Sequence, residues 1–228
     1  MIVMKNVYKK YPNGVVAANG INVEIDPGEF VYVVGPSGAG KSTFIKMMYR
    51  EETSTSGEII INGVNLATLR NSRVPFLRRQ IGVVFQDFKL LPKLNVYENV
   101  AFALEVIEES PKTIRKKVND VLALVGLAQK SRMFPDELSG GEQQRVSIAR
   151  SIVNSPKVVI ADEPTGNLDP DTSWEIMRIF EQINARGTTI VMATHNREIV
   201  NTMRHRVIVV EGGLITRDEY EGEYSYES

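Results

Sequence analysis

The stretch Gly35-Pro36-Ser37-Gly38-Ala39-Gly40-Lys41-Ser42 follows a β-rich run, Phe30–Val34, and precedes a helical pattern from about Lys41 to Arg50. It fits the spacing G-x-x-x-x-G-K-[ST], which carries meaning only in that strand–loop–helix setting. The residue types serve one chemistry. Glycines let successive backbone N–H groups turn inward as an anion-binding nest. A helix opening at the loop adds unpaired N–H groups and the positive end of its dipole. Lys41 offers a cation to β- and γ-phosphates, and the Ser42 hydroxyl is a hard oxygen ligand for Mg²⁺. At ordinary glycine frequency, a chance match in a chain of this length arises about once in a hundred. The overlapping Gly38-Ala39-Gly40 could open a dinucleotide fingerprint, but that pattern needs a further glycine where Thr43 stands. Residues Gly35 to Thr43 therefore read as a nucleoside-triphosphate cradle.

Upstream of the loop, Ile2–Tyr8 and Gly20–Ile25 read as strands, set off by turn signals at Pro12–Gly14 and Asp26–Gly28. Downstream, Ser56–Gly57 breaks the chain before a strand at Glu58–Ile61, which Asn62–Gly63 closes. The period then changes. Over Asn95–Glu109, Val96, Val100, Ala103, Leu104 and Ile107 share one helical face, and over Thr113–Leu127, Val118, Leu122 and Val125 do so. Pro111 separates the two helices and Gly126 ends the second. The apolar runs Lys157–Ala161 and Thr188–Ala193 return to the pattern of buried parallel strands. Between them a helix is expected over Thr172–Arg186, capped by Asp171 and stopped by Gly187. Arg206–Glu211 and Leu214–Arg217 flank Gly212–Gly213 as a hairpin, and the acidic, aromatic Asp218–Ser228 reads as a loose tail. The economical organisation is one α/β domain, residues 1–228, with its core in 1–86 and 156–228 and a helical lobe inserted at 87–155.

Composition narrows the function. An apolar fraction of 43% supports an ordinary core. A formal charge of −1 gives no bulk attraction to nucleic acid or acidic lipid. The absence of cysteine excludes disulfide frameworks, thiolate nucleophiles and cysteine-based zinc sites. The first residues lack a basic segment followed by an apolar stretch and cleavage site, so no signal peptide is expected. Val158–Ala161 and Val207–Val210 are far shorter than the roughly 20 residues that span a bilayer. Any membrane role is expected to come through a partner.

The run Val158–Pro164 ends in two adjacent carboxylates. A strand through the core would deliver Asp162 and Glu163 to its carboxyl edge, beside the phosphate loop. Asp162 suits Mg²⁺, directly or through water, and Glu163 could polarise an attacking water. Two acids after a strand more often cap a helix or solvate a turn, and it is the upstream loop that favours chemistry here.

Leu138-Ser139-Gly140-Gly141-Glu142-Gln143, ahead of the helix-like Gln144–Val153 and about twenty residues before Asp162, resembles the signature of the ABC ATPases. Small residues, exposed N–H groups and a helix start repeat the anion-site logic. The resemblance runs along essentially the whole chain. It implies the P-loop NTPase fold of ABC type: an α/β, RecA-like core with a mixed sheet, an antiparallel β subdomain and an inserted helical subdomain. It implies ATP and Mg²⁺, and a homodimer formed on ATP binding. In that dimer, Ser139, Gly140, Gly141 and Glu142 of one copy cover ATP held by Gly35, Pro36, Ser37, Gly38, Ala39, Gly40, Lys41, Ser42 and Thr43 of the other. Gln86 matches the glutamine loop, which senses the metal and the partner. Asn167-Leu168-Asp169 matches the loop that crosses the dimer interface. His195 matches the switch histidine at the γ-phosphate, Glu163 the general base and Tyr11 the aromatic that stacks on adenine. His205 matches no motif and reads as a solvated residue.

Within this family, Ser37–Phe44, Val83–Pro92, Ala161–Met177 and Met192–Asn196 are most similar to the cell-division branch. That implies a cytoplasmic ATPase, peripheral on the inner face of the cell membrane, working through an FtsX-like integral membrane subunit to regulate peptidoglycan hydrolysis outside the cell. The alternative is the ATPase subunit of a small exporter or lipoprotein-release or import transporter, whose loops share these segments. Repair-type members carry a long insertion and translation-type members tandem cassettes. Neither is present, and no nucleic-acid partner is expected. A cleft near the glutamine loop, lined by Phe88, Leu90, Leu91, Pro92 and the helix from Asn95, is either the seat of a short helix of the membrane subunit or, read as apolar residues alone, ordinary core.

Overall fold

The computed structural model describes residues 1–224. Strands β1 (Ile2–Lys10) and β2 (Val16–Ile25) pair antiparallel, and β3 (Phe30–Val34) leads into helix α1 (Lys41–Met48). β4 (Ser56–Ile61) returns to β1, and β5 (Val64–Asn65) completes a four-stranded antiparallel sheet of order β2-β1-β4-β5. Then come α2 (Val74–Arg78), β6 (Ile81–Val84), α3 (Val96–Glu105), α4 (Pro111–Leu124) and α5 (Gly140–Ile152). The chain finishes with β7 (Val158–Asp162), α6 (Pro170–Asn184), β8 (Thr189–Ala193), α7 (Arg197–Met203), β9 (Arg206–Glu211) and β10 (Leu214–Glu219). The second sheet has order β10-β9-β3-β8-β7-β6, parallel except for the β9–β10 hairpin. This is the mixed-sheet α/β architecture, with a separate antiparallel sheet, that the sequence implies.

The parallel strands are buried on both faces, which is why they read as unbroken apolar runs. Alternation along β3 divides two cores. Val31 and Val33 pack with Phe44, Met47 and Met48 of α1, whereas Phe30, Tyr32 and Val34 face the cluster containing Val146 and Phe180. In register, Val33 and Asp162 both stand beside Ala193, so β3, β7 and β8 end at one edge.

Local chemistry shifts several boundaries. α4 starts at Pro111, which sits at the helix opening behind a Ser110 cap, where a missing N–H costs nothing. The cap of α6 is Asp169, whose carboxylate accepts the Thr172 N–H at 3.0 Å; Asp171, the expected cap, lies inside the first turn because Pro170 opens the helix. The tail from Asp218 is packed rather than loose as far as it is described. Asp218 accepts two bonds from Arg206, at 2.7 and 2.8 Å. Tyr224 is 6% exposed and donates its N–H to Asn201 Oδ1 at 2.6 Å. Residues 225–228 lie outside the described part. His205 is not solvated either: its ring stacks on Phe30 at 4.4 Å, and its Nε2 meets Glu181 Oε1 at 2.5 Å. Among the described residues, no helix is long and apolar enough to cross a membrane.

Candidate nucleotide site

The phosphate loop is shaped by backbone that other residues could not follow. Gly40 has φ +106°, and a Cβ there would meet the Ala17 carbonyl oxygen at 2.3 Å; at Gly35, φ +145°, it would meet the Val210 oxygen at 2.0 Å. Gly40 precedes α1 without a side-chain cap, so the first N–H groups of the helix are left for an anion. Lys41 folds back over the loop, its Nζ donating to Gly35 and Pro36 carbonyls at 2.9 and 3.0 Å. Those are carbonyls it can leave for phosphate oxygens. Ser37, Gly38 and Ala39 complete the loop. Tyr11 reaches it from the end of β1, its hydroxyl 3.1 Å from Thr43 Oγ1 and its ring beneath Lys9 Nζ.

Asp162 ends β7 next to this loop. Burial first, and the Glu163 charge second, raise its carboxyl above its ordinary pKa, while Lys46, the Ser42 hydroxyl and Lys41 pull the other way. A half-buried carboxylate held against a hydroxyl is a fitting seat for a hard cation. Gln86 lies in the same cleft of about 730 Å³, which Lys46, Asp162 and Asn167 also line. Its side chain donates to Asn167 Oδ1 at 3.0 Å, and Asn167 Nδ2 donates back to the Gln86 carbonyl at 3.2 Å.

Glu163 adopts a left-handed backbone, φ +49°, uncommon for a residue with a side chain and a form of strain found at functional sites. That turn aims its carboxylate at β8. Glu163 Oε2 accepts from the His195 backbone N–H at 3.2 Å and from ring Nδ1 at 2.8 Å. The structure thus brings together Tyr11 and Thr43, Ser42 and Asp162, Gln86 and Asn167, and Glu163 and His195.

The signature residues make their contacts with other parts of the chain. Ser139 caps α5, accepting the Glu142 N–H at 3.3 Å, while Glu142 Oε2 accepts the Ser139 N–H at 2.9 Å and Oε1 meets Lys130 Nζ at 2.5 Å. Gly140 faces Leu168 and Phe88, and a Cβ on Gly141 would strike Thr172. The expected partner cleft also differs in part. A cavity of about 470 Å³ lies between α2 and α3, lined by Leu91, Phe102, Ala103, Val106 and Ile107 with Pro75 and Arg79. Leu90 instead packs on the main core, and Pro92 is exposed. The Phe88 carbonyl accepts from Arg150 at 2.9 Å, in a turn where Phe88 and Lys89 both have positive φ.

Two positioning residues were not anticipated. Gln144, fully buried, donates to the Phe85 and Pro164 carbonyls at 3.3 and 2.6 Å, tying the glutamine loop to the strand end. Asn99, also buried, holds Leu91, Leu94 and Asn95 through its amide. For Asn99 the available signal was a lone polar residue among Val96, Phe102 and Ala103 on one helical face; Gln144, between Gln143 and Arg145, carried no such signal.

Residues 18–166 match the family model described as ABC transporter. The chain is 73% identical over 224 residues to the cell division ATP-binding protein FtsE of Bacillus subtilis, covering 98% of each chain. It is 45% identical to the protein of that name from Escherichia coli, with 93% of this chain and 96% of the other covered. Among solved structures, a dimeric post-hydrolysis state of the ATP-binding cassette MJ0796 bound to ADP and Pi superposes with a TM-score of 0.87 at 34% identity, covering 98% and 100%. CbiO1 from Clostridium perfringens, part of an ABC transporter complex, superposes with a TM-score of 0.90 at 31% identity, covering 96% and 88%. With a family model matched over most of its length and relatives matched along nearly all of it, the chain belongs to the ABC transporter family as an ATP-binding cassette.

Proposed function

We propose that this chain binds and hydrolyses ATP in a twofold dimer and transmits the cycle to an integral membrane subunit in bacterial cell division. The observation that carries the reading is the shared strand edge, where Lys41, Ser42, Asp162, Glu163 and His195 converge and His195 Nδ1 stands 2.8 Å from Glu163 Oε2. The loop holds the β- and γ-phosphates, and Lys41 moves from its carbonyls onto them. Glu163 takes a proton from water as the water oxygen bonds to the γ-phosphorus. The bond to the bridging oxygen breaks, and ADP leaves with that electron pair. His195 orients Glu163 and the γ-phosphate, and Tyr11 stacks on adenine. Ser42, Asp162 and Gln86 supply oxygen donors for Mg²⁺, which when bound neutralises charge between the phosphates.

Ser139, Gly140, Gly141 and Glu142 close over ATP held by a second copy, so each copy supplies half of each site. The dimeric cassette neighbours support that assembly. The cell-division role is supported by relatives of that name along nearly the full chain, and the membrane subunit of this reading is FtsX-like. Its short helix enters the cleft between α2 and α3, placing the chain peripherally on the inner face of the membrane. The output is regulation of peptidoglycan hydrolysis outside the cell.

The test of catalysis is Glu163→Gln. It should keep ATP, lose about 10²–10⁴-fold in turnover and accumulate as an ATP-bound dimer in size-exclusion chromatography. Phosphate release at the parental rate would remove Glu163 as base. A transporter reading, favoured by the cassette neighbours, is separated by crosslinking in cells. Recovery of a substrate-moving permease rather than an FtsX-like protein would replace division with transport.

A further inference from the structure

The chain is nearly neutral overall, yet 28 consecutive residues, 59–86, contain no carboxylate and four arginines: Arg70, Arg73, Arg78 and Arg79. All four are exposed, and among the described residues none of them forms an ion pair. Arg78 is occupied by carbonyls, donating to Tyr49 and Arg50 at 3.0 and 3.1 Å. Arg73 and Arg79 instead hold their guanidinium groups 5.5 and 4.9 Å from the ring of Phe76, which is 48% exposed. Leu77 is the buried residue of α2 and Arg78 ties the helix to the chain behind it, while Pro75 and Phe76 stay exposed. Across the adjoining cleft, Phe102 and Val106 are also exposed, at 44% and 53%.

A protruding aromatic ring between arginines, with further apolar side chains beside it, is the chemistry of a membrane–water interface. There an apolar ring enters the boundary between headgroups and acyl chains and the cations meet anionic phosphate. The cleft is concave and suits a peptide helix, whereas Arg70, Arg73 and Phe76 lie on its outer rim and do not line it. We propose that this rim binds the anionic lipid surface directly, so that the chain touches the membrane through its own arginines and Phe76 in addition to any contact made by a partner. The attraction is local, since the charge of the whole chain provides none.

The test uses the purified full chain, with no membrane partner, in sedimentation with phosphatidylcholine vesicles containing or lacking about one third phosphatidylglycerol. The parent should sediment with the anionic vesicles, be released by high salt and ignore neutral vesicles. Removing two arginine charges from an anionic surface should weaken binding about 25-fold, so Arg70→Gln with Arg73→Gln is the principal variant. Phe76→Ser should also weaken binding, through an exposed side chain whose loss leaves the fold intact. Arg178→Gln with Arg186→Gln, the same charge change elsewhere, should bind as the parent does. Equal binding to neutral vesicles, parental binding by the rim variants, or binding that appears only when the integral membrane subunit is reconstituted would each overturn the proposal. The last outcome would leave membrane attachment to the partner alone. None of the outcomes with lipid vesicles alone depends on ATP hydrolysis or on the cleft.

Discussion

Gly40 and Gly38 stand two residues apart in one loop and face opposite demands. Both have positive φ, but a Cβ at Gly40 would lie 2.3 Å from the Ala17 carbonyl, whereas at Gly38 it would meet nothing within 4 Å. Gly40→Ala should therefore force the loop away from β2 and weaken ATP about tenfold to a hundredfold, the equivalent of roughly 1–3 kcal/mol of overpacking. Gly38→Ala carries only the left-handed backbone cost of roughly 1–2 kcal/mol. Its main effect should be on thermal stability. Titration with a fluorescent ATP analogue separates the two, and equal loss of affinity would refute the steric account. His205 is another case where the neighbour decides. Its stacking on Phe30 and bond to Glu181 predict that His205→Ala costs about 1–2 kcal/mol and lowers Tm by about 2–8 °C, with ATP affinity unchanged.

At the scale of the element, the opening of α5 does two jobs. Ser139 caps the helix and Glu142 closes the box behind it, so the residues that would cover a partner's ATP are already ordered in the single chain. Ser139→Ala should cost about 1 kcal/mol, seen as a Tm lower by about 2–4 °C. The Lys130 ammonium first, and the Ser139 backbone N–H second, hold the Glu142 carboxyl below its ordinary pKa. A carboxylate with a depressed folded pKa contributes stability above its unfolded pKa, roughly 4.3, and that contribution is lost as pH falls through the lower folded value. The parent should thus lose more stability than Glu142→Gln on acidification below about pH 5. Urea unfolding at several pH values measures this, and parallel losses would show that the box is not electrostatically tuned.

In the whole molecule, the phosphate loop sits where β3 meets α1, whereas the signature abuts Phe88, Leu168 and Thr172. If ATP is covered by a second copy, two inactive chains should complement each other. An equal mixture of Lys41→Ala and Ser139→Arg chains should recover about a quarter of the parental ATPase rate, since half the dimers then hold one intact site. No recovery would place the complete site within one chain. The cleft gives a second contrast. Val106 is 53% exposed beside it, so Val106→Asp should abolish recruitment by the membrane subunit while the fold is kept. Leu90→Asp should destabilise the chain itself, because Leu90 packs on the core. Recruitment and Tm, measured for both variants, test that division.

Much of this was legible along the chain because it depends on local pattern. Apolar runs of strand length marked β3, β7 and β8 within a residue or two, and glycine spacing marked the loop between β3 and α1. The helical period located α3 and α4, although Pro111, read as punctuation, turned out to open a helix, as Pro170 does for α6. Pairings across distance were not legible. Nothing near His205 in sequence announces Phe30 or Glu181, and nothing near Asp218 announces Arg206 except the hairpin that places them together. Leu90 and Leu91 look alike in sequence, yet one packs on the core and the other lines the cleft. By itself, then, the sequence determined the α/β class, the motifs and the chemistry those residue types can perform, because backbone propensity and spacing act over a few residues. The tertiary structure decided which carboxylate meets which histidine, which faces stay open and where Arg73 and Phe76 are left exposed, because packing joins groups that the chain itself keeps far apart.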